Sequence, residues 1–151
     1  MSKSEFVYVT YIRSTVDKVW DALTQPEFTR QYWFGVESRS SWTRGAKWEL
    51  VAPDGRVFDA GEIVEIDRPR RLVIAWQHQL DEAMRAEGFS RATFELETVG
   101  DSVKLTVVHG SDVPGSKLVK AVSGGWPHIL ASLKSLLETG KALEATRKLP
   151  G

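Results

Sequence analysis

The sequence predicts an α+β domain in which an antiparallel sheet is covered on one face by a long C-terminal helix. Residues 45–110 are a succession of β-branched and aromatic segments separated by tight turns. Amphipathic stretches at helical spacing stand before and after that region. A length of 151 residues, with 42% hydrophobic and 26% charged content, fits one globular domain spanning 1–151.

Each element follows from its own residues. Residues 6–12 read as a strand because branched and aromatic side chains suit a pleated surface. The period then changes: Val16, Val19, Trp20 and Leu23 recur at i, i+3, i+4 and i+7 and give one apolar helical face. Ser14 or Thr15 can cap its first amides, and Asp17 suits the positive end of the helix dipole. Pro26 opens a second short helix, where its missing N–H costs nothing; Phe28, Tyr32 and Trp33 follow, and Gly35 ends it.

Strands are then expected at 47–52, 57–66, 71–79, 91–99 and 102–109, with a longer charged connection at 80–88. Gly100-Asp101 makes the last of these a hairpin. Taking Val99 opposite Ser102 places Phe94 opposite Val107 and Ala92 opposite His109. Leu96, Leu105 and Val103 share that face, while Arg91, Thr93, Glu95, Glu97 and Lys104 take the other, the pattern of a sheet covered on one side. The cover comes from the C-terminus. Leu118, Val119 and Val122 form a first helical stretch, which Gly124-Gly125 is expected to interrupt before Trp126-Pro127 restarts it. Ile129, Leu130, Leu133, Leu136 and Leu137 then make a broad apolar stripe that stops at Gly140.

Composition excludes several classes of function. Basic and acidic residues both number 20, a balance that argues against coating nucleic acid or an anionic membrane. Arg68, Arg70 and Arg71 around Pro69 have no interleaved aromatics and read as solvated turn charges. The absence of cysteine removes disulfides, Cys-ligated zinc, iron–sulfur clusters and thiol nucleophiles. With no phosphate loop, Rossmann fingerprint, nucleophile elbow or metal-binding His pair, no cofactor or metal is expected. The first residues lead directly into a strand without the apolar region of a signal peptide. The longest apolar run, 72–76, is far below the ~20 residues of a membrane span. The expected location is therefore the cytoplasm. Six Trp beside six Phe and three Tyr point to a large aromatic-lined interior or contact surface.

Three separated motifs resemble those of the START-related helix-grip superfamily, also called SRPBCC. They are Val19-Trp20-Asp21-Ala22-Leu23-Thr24; Pro69-Arg70-Arg71-Leu72-Val73 with Trp76; and Gly125-Trp126-Pro127 followed by Leu133-Lys134-Ser135-Leu136-Leu137-Glu138-Thr139-Gly140. Within it the chain is similar to small bacterial single-domain members of the group named after the heat-shock-protein-90 ATPase activator. The resemblance covers nearly the whole chain. It implies a curved antiparallel sheet of six or seven strands wrapped around the C-terminal helix, two short helices after the first strand, and a cavity between sheet and helix. The eukaryotic co-chaperone carries a separate N-terminal domain for which this chain leaves no room, so chaperone activation is not the expectation.

On that fold, Trp33, Trp48, Trp76, Phe94 and Trp126, with Leu130, are expected to border an apolar pocket of ~300–1,000 Å³. Any one ring taken alone is better explained as core filling. His78 and His109 continue inward-facing alternations and are expected at one end of the sheet. They would stand about 10 Å apart across two strand spacings of ~4.8 Å, too far to share a metal at ~2 Å to each nitrogen. At a pocket mouth they would orient a ligand or move a proton; a hydrogen bond to a loop explains each equally well. His128 is expected at the surface or rim. Glu62 and Glu65 occupy opposite faces of a regular strand, so one would turn inward with a raised pKa. A bulge near Gly61 or an edge position would send it to solvent instead, and that arrangement is favoured.

The function expected is binding of a small hydrophobic or amphipathic ligand between sheet and C-terminal helix, with entry near the second helix and residues 80–88. No catalytic residue is assigned. A polyketide cyclase or aromatase-like enzyme using the same cavity is the second reading, and a chaperone-associated interaction protein the third. A homodimer is compatible with the sequence, which does not fix the oligomeric state, while nucleic acid and membrane are not expected partners.

Overall fold

The computed structural model describes residues 3–149. The strands are β1 Ser4–Ile12, β2 Glu37–Ser40, β3 Lys47–Val51, β4 Val57–Asp67, β5 Arg71–His78, β6 Ser90–Val99 and β7 Ser102–Ser111. Helices α1 Val16–Thr24 and α2 Pro26–Tyr32 follow β1, α3 Glu82–Ala86 joins β5 to β6, and α4 Lys117–Thr139 follows β7. All seven strands form one antiparallel sheet in the order β1-β7-β6-β5-β4-β3-β2. This is the α+β helix-grip fold, with two short helices after the first strand and the long C-terminal helix held against the sheet's inner face.

Local chemistry places the elements. The Thr15 hydroxyl accepts from the Lys18 N–H at 3.3 Å and caps α1, which buries Val19, Trp20 and Leu23. β6 and β7 pair as the hairpin register requires, Phe94 opposite Val107 and Ala92 opposite His109. The inner face of the sheet closes over Val19, Ile63, Leu105, Leu130 and Leu133, all fully buried.

Two elements are absent from the expectation. β2 reads Glu-Ser-Arg-Ser, four polar residues with no strand signature. Pairing with β3 makes it a strand, and Ser38 there accepts a hydrogen bond from the Trp48 indole at 3.0 Å. α3 lies inside the charged connection, where Asp81 caps it by accepting from the Met84 N–H at 3.0 Å.

The expected interruption at Gly124-Gly125 does not occur: α4 runs unbroken through both glycines and Pro127. A helix-interior glycine costs about 1 kcal/mol and a proline about 3. Trp126, Ile129, Leu130 and Leu133 are all buried on this helix, each worth about 1.5–3 kcal/mol. Burial on one face outweighs the propensity deficit.

Candidate functional site

A partly open hollow of about 310 Å³ lies between the first half of α4 and the β3–β5 side of the sheet. That volume falls at the lower end of small-molecule sites. Its rings are Trp33 and Phe34 after α2, Phe58 on β4, Trp76 on β5 and Trp126 on α4. Met84 of α3 and Leu149 close the remaining sides. The helix wall is Leu118, Ala121, Val122, Gly125, Trp126 and Ile129, and at Gly125 α4 projects no side chain. Phe34 reaches the wall from a left-handed backbone (φ 51°), its N–H held by the Thr146 carbonyl at 2.7 Å. Left-handed geometry is unusual for a bulky residue and concentrates at ligand sites.

The structure brings four of the eight anticipated residues to this wall: Trp33, Trp76, His78 and Trp126. Trp48, Phe94, Leu130 and His109 pack behind it. Trp48 lies opposite Gly61 in the β3–β4 ladder, as Trp76 does in β4–β5, and the two ring centroids meet at 4.5 Å. A side chain at Gly61 would put Cβ 1.6 Å from the Ala75 carbonyl oxygen, so only glycine permits this close approach. Phe94 sets its edge against Trp126 at 5.7 Å, and Leu130 is fully buried.

The two sheet histidines do not share a level, contrary to expectation. His109 lies opposite Ala92, which lies opposite Ile74. His78 is four residues further along β5, about 14 Å at ~3.4 Å per residue. The stagger arises because β6 starts opposite Trp76, leaving His78 beyond that ladder.

His109 is sealed in the core with both ring nitrogens engaged. The Trp126 indole donates to Nδ1 at 3.2 Å, which makes Nδ1 an acceptor and leaves the ring proton on Nε2. Nε2 therefore donates to the Ser90 hydroxyl at 2.8 Å, and that hydroxyl donates to the Trp76 carbonyl at 3.2 Å. The polar chain is closed. Burial pushes the His109 pKa down to about 4, so the ring is neutral at neutral pH. In this tautomer it cannot take a proton from Ser90.

His78 stands differently. Its cross-strand neighbour is Asp59, whose Oδ1 lies 3.1 Å from Nδ1 and also accepts from the Trp76 indole at 2.8 Å. The Asp59 hydrogen bond raises the His78 pKa, burial opposes it, and the charges of Asp59 and Asp81 add to the rise. Asp59 and His78 are the ionisable residues of the hollow's wall. Sequence reasoning missed Asp59, although a signal existed. Asp59, Gly61 and Ile63 share one alternation, and an aspartate is depleted in strands, so one on an inward face asks for a partner.

Glu62 and Glu65 both face solvent. The register slips between Ile63 and Glu65, and this bulge at Val64 turns both glutamates outward. Glu65 pairs there with Arg71 at 2.9 Å. His128 is exposed on α4. A larger, shallow groove of about 470 Å³ on the outer face is lined by Asp67, Arg70, Arg71, Glu95 and Lys104. Several of these pair with one another, so it is an ion-paired surface. Among the described residues no group of three His, Asp or Glu could hold a metal, and no helix is long and apolar enough to cross a membrane.

Solved structures share this architecture. Protein MLL2253 from Mesorhizobium loti is 22% identical with a TM-score of 0.76, over 89% of this chain and 97% of its own. The Aha1 dimer of Colwellia psychrerythraea is 17% identical with a TM-score of 0.74, over 92% and 99%. DynU16, a protein of the dynemicin biosynthetic locus, is 23% identical with a TM-score of 0.71, over 91% of this chain and 48% of its own. At these identities the likeness is one of fold. Among curated proteins nothing matches the sequence. Residues 13–138 match the family described as Activator of Hsp90 ATPase homolog 1-like protein, and the chain belongs to that family.

Proposed function

We propose that the protein binds a small amphipathic molecule in the hollow under α4, its apolar body against the rings and its polar end at Asp59 and His78. The single observation that carries this reading is the wall itself: five aromatic rings and several aliphatic side chains enclose about 310 Å³, with two ionisable groups at one side. Affinity would come from apolar area removed from water, at about 25 cal/mol per Å² before the costs of binding. The test uses 2-methoxynaphthalene, a neutral flat probe, titrated by calorimetry. Gly125→Leu should weaken its binding by at least about tenfold, because one buried isobutyl group occupies the site. The new Cβ meets only Ile129 Cδ1, at 3.9 Å, so the helix accommodates it. A probe that does not bind, or that binds the variant equally well, would sink the reading.

One observation favours a second reading, an acid–base enzyme of the cyclase or aromatase kind. Asp59 fixes His78 through Nδ1, the arrangement that presents a histidine's other nitrogen as a base. The likeness to DynU16, from a biosynthetic locus, is compatible with it. Deuterium exchange at the methylene of 1-phenyl-1,3-butanedione should then be accelerated by the protein and not by His78→Phe. A homodimer is the assembly we favour, supported by the dimeric Colwellia relative. Sedimentation at micromolar concentration tests it.

A further inference from the structure

The polar end of the hollow has a donor–acceptor pattern that selects among head groups. Asp59 Oδ1 is taken by Trp76 and His78, while Oδ2 has no partner among the described residues. His78 Nδ1 is taken by Asp59, and Nε2 has no partner among them. Every buried side-chain nitrogen or oxygen among the described residues is hydrogen-bonded, so these two unpartnered atoms are reachable. Both residues belong to the wall. We propose that this pair, with His78 in its imidazolium form, recognises a neutral hydroxyl on a flat aromatic or polycyclic ligand, the hydroxyl donating to Asp59 Oδ2 and accepting from His78 Nε2–H. This rests on the hollow being a binding site.

Other head groups satisfy only half of the pattern. A carboxylate or phosphate accepts from Nε2–H but meets the carboxylate of Asp59, with Asp81 adding a second negative charge near His78. An ammonium donates to Asp59 but faces the positive imidazolium of His78. An ether accepts and cannot donate. The hydroxyl serves both atoms, and a desolvated polar atom left unpaired is what a binding site discriminates against most strongly. The flat body follows from the walls. The rings of Trp33, Phe34, Phe58, Trp76 and Trp126 border the hollow and offer faces and edges to an aromatic body.

Four probes with one body and four heads test it: 2-naphthol, 2-methoxynaphthalene, 2-naphthoate and 2-naphthylmethylamine, titrated by calorimetry at pH 6, below the raised pKa of His78, where the ring carries both protons. Naphthol is expected to bind about tenfold tighter than its methyl ether, the worth of about one net hydrogen bond, and tighter than both charged analogues. That naphthol-to-ether ratio should fall toward one in Asp59→Asn, whereas His78→Phe removes the donor that both probes accept from and should weaken both while keeping the ratio. His78 is partly exposed, so its variant keeps the test alive if loss of Asp59 disturbs the fold. Equal binding of all four heads, or preference for naphthoate, overturns the hydroxyl assignment and leaves the hollow standing as a binding site. Failure of every probe to bind overturns both.

Discussion

Trp76 packs against one histidine of the sheet and reaches the other through an aspartate, and the two sides of this one indole teach opposite lessons. Its ring lies edge-on to His109 at 5.1 Å, while its N–H holds the aspartate that pairs with His78. On the His109 side every polar atom is spent: indole to imidazole, imidazole to hydroxyl, hydroxyl to carbonyl. On the His78 side one aspartate organises the ring and leaves a nitrogen and an oxygen uncommitted. Burial decides the difference. A sealed polar group must be fully satisfied or it costs stability, whereas a group at a rim can keep valence in hand for a ligand.

The comparison breaks first at Trp126, which serves both regions. Trp126→Ala removes a buried indole and orphans His109 Nδ1, and should destabilise the fold by about 3–5 kcal/mol in urea unfolding. His78→Ala, at the partly exposed ion pair, should cost about 1 kcal/mol or less. Equal losses at the two sites would erase the distinction.

Acid sharpens it. An unfolded histidine titrates near 6.5, whereas His109 in the native state resists protonation down to about 4. Between those values the unfolded chain takes a proton that the native chain refuses. Stability should therefore fall as pH drops from about 6.5 to about 4, by roughly 3 kcal/mol from this residue. His78 acts with the opposite sign. Its raised pKa contributes stability that is fully present below about 6.5 and lost as pH rises through the raised value. Imidazole NMR titration of the two rings checks this, with His109 expected near 4 and His78 above 6.5.

The smallest effect lies on the helix that roofs the hollow. Gly124 is exposed and a Cβ there meets nothing within 4 Å. Gly124→Ala should raise stability by about 0.5–1 kcal/mol through helix propensity, read as a higher thermal midpoint.

Much of the fold could be read from periodicity. The β6–β7 register followed from one turn, and α1 from four apolar residues and a cap. Elements without a local signature were not legible. β2 is a strand only because β3 offers it a ladder, and α4 stays whole through Gly124, Gly125 and Pro127 only because tertiary burial outweighs propensity. The wall of the candidate site was half legible. Alternation identified Trp76 and His78, but it also promoted His109, whose role depends on the indole of Trp126 reaching it from another element. Asp59 escaped because its meaning lies in the residue opposite, and cross-strand pairs depend on a register that the bulge at Val64 shifts.

The binding proposal places a ligand in the aromatic hollow under α4. Indole ¹H–¹⁵N spectra of all six tryptophans, recorded while 2-methoxynaphthalene is added, test it most directly. The wall residues Trp33, Trp76 and Trp126 should shift and saturate together, with Trp20 and Trp42 unmoved. Shifts confined to Trp20 and Trp42, or none at saturating probe, would contradict it.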